Sequence, residues 1–175
     1  MDREVTIYSI PETPVSLNNA YPQKKGGGRV LSKAARKLKQ ALVREMWVID
    51  KKLGRRLPLY EYYNCHFIFW FPEESFFTRA GKPRKFDVFN LVKLPEDCVF
   101  QFMREVIEGA VSEYVGPQPD DCRSLTVVGC KRPYNRDRCL IQICVSEARL
   151  EDPFWINGQC FDQHEILEIG HATDR

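Results

Sequence analysis

Apolar and polar positions alternate in EVTIYSI (4–10), the two-residue period of a strand, and Pro11 and Pro14 stop it. The next stretch, PVSLNNAYPQKKGGGR (14–29), has no period. Two asparagines, two prolines and three consecutive glycines make it a loop. From Ser32, an N-cap residue type, the period becomes helical. Leu31, Ala34, Ala35, Leu38, Ala41, Leu42 and Met46 trace one apolar stripe with lysines and arginines opposite, and DKKLGRRLP (50–58) ends it. LYEYYNCHFIFWFP (59–72) is aromatic and closed by Pro72, which predicts a core strand. Within it, His66 reads as a core histidine with a satisfied hydrogen bond rather than a ligand.

A loop (73–85) follows, and then a second helical period through Val99, Met103, Val106, Ala110 and Tyr114, running to about Val115. Pro95 is tolerable only in a first turn, so this helix is expected to begin near Lys93 or to be irregular there. SLTVVGCKR (124–132) and RCLIQICVSE (138–147) predict two strands joined by a tight link, a hairpin. Helices alternating with strands indicate an α+β domain over residues 1–147: a mixed four-stranded sheet with two main helices packed on it, in the order β-α-β-α-β-β. Residues 148–175 have no clear period and read as a C-terminal extension used in packing or assembly.

Charge changes this picture more than composition does. The 175 residues are 43% hydrophobic and 29% charged, an ordinary globular profile. No apolar run approaches the roughly 18 residues that span a bilayer. MDREVTIYSI lacks the basic-then-apolar layout of a signal peptide, so a cytoplasmic, non-secreted protein is expected. The net charge of +2 hides an asymmetry: Pro22–Pro58 holds twelve Lys or Arg against Glu45 and Asp50, leaving −8 for the remainder. Such a block points to a polyanion partner, or to a solvated basic helix. The seven cysteines contain no C-x-x-C pair and read as buried thiols. A zinc site built from Cys122, Cys130, Cys139 and Cys144 lacks the usual knuckle spacing.

The candidate chemistry lies in FDVFNLVKLPEDCVF (86–100). Asp87, Asn90, Lys93 and Asp97 stand at intervals of 3, 3 and 4 on an otherwise apolar segment. Helical from Asn90 onward, that spacing puts Asn90, Lys93 and Asp97 on one face. Asp120 and Asp121 recur just before a strand, where a short return brings them back towards Asp87. Carboxylates, an amide and waters suit Mg2+ or Mn2+. Such an ion activates water and neutralises charge on a phosphodiester, and a lysine beside it stabilises the developing oxyanion. The same residues read equally as a solvated helix end, with acids complementing the helix dipole and Asp-Asp in a proline turn.

The order of these pieces resembles the RusA family of crossover-junction endodeoxyribonucleases. The elements are Pro14-Val15-Ser16-Leu17-Asn18-Asn19, Gly28-Arg29-Val30-Leu31-Ser32, Asp87-Val88-Phe89-Asn90-Leu91-Val92-Lys93, Asp97, Asp120-Asp121 and Lys131. They cover about residues 4–147. The resemblance implies a compact α+β homodimer in a bacterial or phage-infected cell, nicking four-way DNA junctions symmetrically with Mg2+. It implies Asp87, Lys93 and Asp121 as catalytic residues, and Asp87 and Asp121, with Asp120 and Asp97 as neighbours, as metal ligands. Lys24, Lys25, Arg29, Arg79, Lys82, Arg84, Lys85 and Lys131 are then DNA-binding, where phosphate contacts set position rather than read sequence. Asn18, Asn19 and Asn90 are supporting residues. One departure matters: well-studied members carry a second acid two residues after the first, and this chain has Phe89 there. Two other functions fit the same residues, a branched-DNA-binding protein without cleavage and an assembly factor acting on a protein partner.

Overall fold

The computed structural model describes residues 5–23, 30–54, 57, 60–85, 87–109 and 124–148. Its elements are β1 (Val5–Ile10), α1 (Leu17–Ala20), α2 (Lys33–Leu53), β2 (Tyr62–Pro72), α3 (Glu73–Phe76), α4 (Phe89–Gly109), β3 (Ser124–Tyr134) and β4 (Leu140–Ala148). The four strands form one mixed sheet in the order β1-β4-β2-β3. β4 runs antiparallel to both β1 and β2, and β3 runs parallel to β2. The α+β architecture expected from the hydrophobic pattern is therefore present.

The two-strand hairpin is not. β2 lies between β3 and β4, so the link after Tyr134 steps over the end of β2 rather than turning back on its own strand. The cause is the apolar content of β2. Tyr63, Cys65, Phe67 and Phe69 are all fully buried, and a strand so apolar takes an interior position with a neighbour on each side. Chain leaving β2 through α4 re-enters beside it in the parallel sense, the only short solution for a β-α-β crossover.

One row across the sheet, Tyr8–Ile143–Phe67–Gly129, locates the helical layer. The Tyr8 hydroxyl donates to Asp50 of α2, and its ring meets Phe102 of α4 edge to face at 6.0 Å. At the other end of the row, a Cβ on Gly129 would lie 2.6 Å from Val92 and 2.7 Å from Val88. Both are β-branched and stiff, so only glycine lets α4 sit this close to β3. Leu38, Leu42 and Met46 of α2 and Val99, Phe102, Met103 and Val106 of α4 fill the space between helices and sheet.

Each long helix shows the signals that bound it. Ser32 accepts from the Ala35 amide at the start of α2, and Gly54 closes it in the left-handed conformation at φ 61°. Ala34, placed in the apolar stripe from sequence, is exposed, and Val43 takes a buried position instead. α4 begins four residues before Lys93 and carries Pro95 in its interior. The missing proline N–H leaves the Leu91 carbonyl without its helical donor, a cost of order 3 kcal/mol. Burial of Leu91, Val92, Leu94, Pro95, Cys98 and Val99 along this one stretch offsets it. The expected continuation to Val115 lies outside the described residues.

His66 lies in the opposite row, Ile7–Cys144–His66–Val128, on the face away from the helices. Burial pulls its pKa below the ordinary value of 6.5. The unfolded chain therefore takes up the proton first as pH falls, so stability is full above about 6.5 and declines below it. Urea midpoints at pH 7.5 and 5.0 should show a smaller acid loss in His66→Gln than in the parent. Equal losses would dismiss the histidine as the sensitive group.

Candidate nucleic-acid interface

The surface begins in the loop that leaves α3. Phe77 and Pro83 form an isolated bridge, the Thr78 amide donates to the Lys82 carbonyl, and the Lys82 amide donates back to the Thr78 hydroxyl. Gly81, at φ 70°, supplies the positive backbone angle that closes this turn. The Arg84 amide donates to the Phe76 carbonyl and its guanidinium Nε to the Phe77 carbonyl. From β3, Lys131 Nζ donates to the Arg84 carbonyl at 3.0 Å. The family resemblance implied Lys131 as a phosphate contact; the structure shows it bracing the loop. Arg79, Lys82, Arg84 and Lys85 are all exposed, four cations in seven residues with no acid among them. A cationic edge of this kind, held by main-chain hydrogen bonds, suits a phosphate backbone.

Two residues beyond Lys85, Asp87 caps α4. Its Oδ1 accepts from the amides of Phe89 (3.1 Å) and Asn90 (3.4 Å), and its Oδ2 accepts from Asn90 Nδ2 at 2.6 Å. The carboxylate is exposed at the helix N-terminus, where the dipole stabilises it. Val88 and Val92 fix this end of α4 on Gly129. Phe89 is 79% exposed, two residues beyond Asp87.

Lys93 and Asp97 meet at 3.0 Å, and Lys93 reaches Glu96 at 3.4 Å. Glu96 is 8% exposed and went unnoticed in the sequence, although its three-residue offset from Lys93 is the spacing of a helical ion pair. α1 packs against this part of α4, which puts Asn18 and Asn19 at its side with both residues exposed. Tyr21 follows: burial, and then the Asp97 and Cys98 charges, push its phenol above the ordinary value while Lys93 pulls it down. Tyr21 is a further residue at this surface, and no spacing rule marks it.

The constellation therefore divides. Asp87 and Asn90 form one group, and Lys93, Glu96 and Asp97 another. From Phe89 to Asp97 the helix rises about 12 Å, too far for Asp87 and Asp97 to share one cation. Among the described residues, no group of three or more His, Cys, Asp or Glu is placed to hold a metal. Lys24, Lys25, Arg29, Asp120 and Asp121 lie outside the described residues. So does Cys122 of the zinc alternative, and burial pushes the Cys65, Cys98 and Cys144 thiols up to about 12, leaving them protonated at neutral pH.

The described residues on either side limit where Asp121 can act. Ser124 pairs near Tyr63, and α4 travels from Gly129 towards Tyr63, where Phe100 meets that ring at 6.0 Å. Asp87 thus stands at the start of α4, and Ser124 lies level with its middle. Gly129 is five residues past Ser124, or about 16 Å of strand. A span of three residues covers at most about 10 Å. A cation shared by Asp87 and Asp121 of one chain asks residues 121–123 to run back along β3 nearly fully extended.

Compared with known proteins, the chain matches no protein-family model and no curated protein. Among the described residues, no helix is long and apolar enough to cross a membrane.

Proposed function

We propose that the chain is a structure-specific endonuclease of branched DNA, as its resemblance to the RusA family implies, using Mg2+ or Mn2+. The observation that carries the reading is the exposed, rigidly oriented carboxylate of Asp87 beside a braced row of four cations. In this reading Arg79, Lys82, Arg84 and Lys85 hold the phosphate backbone, and Asp87 and Asn90 face the scissile group. The donor set is oxygen-rich and suits a hard divalent ion, which when bound supplies charge neutralisation and water activation. Asp120 and Asp121 complete it, either by the extended return described above or from a second copy. A two-fold axis that brings residues 120–121 of one copy to Asp87 of the other would supply the second acid, and two-fold symmetry is also that of a paired cut.

The experiment is nicking of a synthetic four-way junction under single-turnover conditions, in Mg2+ and in Mn2+. Cleavage that needs the metal supports the proposal. Absence of cutting on junctions, flaps and forks in both metals removes it. Replacing Lys82, Arg84 and Lys85 with alanine should flatten the slope of log K against log salt by about 2.7, near 0.9 for each lost phosphate contact.

A second reading, branched-DNA binding without cleavage, is favoured by two observations. Phe89 occupies the position of the second acid, and Lys93 is held by Asp97 and Glu96. Phe89→Asp separates the two. The ring is exposed, so its loss costs little packing, and an acid in the first turn of α4 suits the dipole. If a second ligand limits the reaction, nicking should rise about tenfold or more, a gain of roughly 1.4 kcal/mol. A variant that binds junctions and never cuts them belongs to the binding reading.

A further inference from the structure

On the side of α2 and α4 away from the sheet lies an open groove of about 600 Å³. Leu31, Val43 and Trp47 give it an apolar lining, Arg36 and Lys39 supply cations, Arg44 is paired with Glu45 at 2.8 Å, and Gln101 of α4 borders it. Trp47 stands edge to face on Phe102 at 5.1 Å and donates from its indole to Glu105 at 3.0 Å, yet it stays 37% exposed. A phosphate backbone would satisfy the cations and leave the apolar surface in water. A segment that mixes carboxylates with aliphatic side chains satisfies both.

The chain contains such a segment. Residues 149–175 carry six acids against two arginines, whereas α2 carries seven cations against two acids. In Phe161–Ile169, Asp162, Glu165 and Glu168 alternate with Phe161, Ile166, Leu167 and Ile169. The reach is ample. β4 ends at Ala148, paired with Tyr62, which is five residues after Leu57, whose amide donates to Asp50 in the last turn of α2. The middle of the groove, near Gln40, lies about 20 Å from that end of the helix. The residues from 149 to 161 span up to about 43 Å.

We propose that this groove takes residues 161–169 of the same chain, with Glu165 and Glu168 against Arg36 and Lys39 and the aliphatic side chains against Trp47 and Leu31. The occupied groove withholds Arg36 and Lys39 of α2 from a polyanion. That consequence rests on the DNA reading; the occupancy itself does not.

The test is a photo-cross-linking amino acid placed at position 40 of the full-length chain, and separately at position 44, with cross-linked peptides mapped by mass spectrometry. The expected products are intramolecular links into residues 161–169. Glu165→Lys with Glu168→Lys should lower their yield about fivefold, and adding Arg36→Glu with Lys39→Glu should restore it. Links to another segment, a covalent dimer, links to co-purifying nucleic acid, or no links at either position overturn the proposal. So does a yield unchanged by the charge reversals. None of these readouts depends on cleavage, so failure of the nuclease reading leaves the result interpretable.

Discussion

Asp87→Ser is expected to leave the fold and junction binding intact while lowering metal-dependent nicking about 1,000-fold or more, roughly 4 kcal/mol of barrier. The choice of serine matters because Asp87 has two roles. It caps α4 through the Phe89 and Asn90 amides. Alanine would remove that cap at a cost of about 1 kcal/mol and confuse loss of helix with loss of chemistry. Serine caps about as well as aspartate and is a far poorer ligand for a hard cation. The measurement pairs single-turnover nicking with thermal unfolding. A serine variant that cuts at the parent rate ends the metal role of Asp87, and one that unfolds early shows that the cap is its main role.

The same variant tests how the second acid arrives. Asp87→Ser and Asp121→Asn, each inactive alone, would recover nicking when mixed if every site draws one acid from each of two copies, since mixed dimers contain one intact pair. Without recovery, the return of residues 121–123 along β3 is the remaining route. Mixing also reports on the homodimer, which no residue pattern in the chain reveals.

The spacing of Asn90, Lys93 and Asp97 was legible as one helical face with Asp87 just before it, and that is what the fold contains. Sharing a face is weaker than sharing a point. Each step of three or four residues climbs about 5 Å along the axis, so a run of ten residues divides into separate groups at its two ends. The capping function of Asp87 was equally visible as the alternative, an acid at a helix start, and the two roles coexist on one carboxylate. Asp97 was the less legible, because its partner depends on which rotamer Lys93 adopts.

The fold shows a similar division. Local signals located β1, both ends of α2, β2 and the body of α4, because hydrophobic period, N-cap and C-cap act within a few residues. The start of α4 was misplaced because Pro95 was weighed alone, against a buried stretch that outweighs one missing hydrogen bond. The hairpin was misplaced because sequence proximity favours pairing β3 with β4, while burial of β2 requires a partner on each edge. That requirement is a property of the whole sheet and is invisible in the five residues that join the two strands.

Asp50→Ala should be among the most destabilising single changes outside the site, by about 2–5 kcal/mol out of a total typically of 5–15. Asp50 is 3% exposed near the end of α2, where the helix dipole disfavours a negative charge. It is held there by the Tyr8 hydroxyl at 2.9 Å and the Leu57 amide at 2.8 Å. Alanine takes an acceptor from both donors, and Leu57 is itself buried. The damage is not local, since Tyr8 belongs to β1 and Leu57 to the chain entering β2, so one carboxylate ties the basic helix to two strands. Tyr8→Phe alone should cost about 1 kcal/mol, one ordinary hydrogen bond. Urea unfolding of both single variants and the double variant measures the coupling between them. Additive losses would mean that the carboxylate acts through Leu57 and leaves Tyr8 to its contact with Phe102; a coupling near 1 kcal/mol would make it the brace that sets α2 against the sheet.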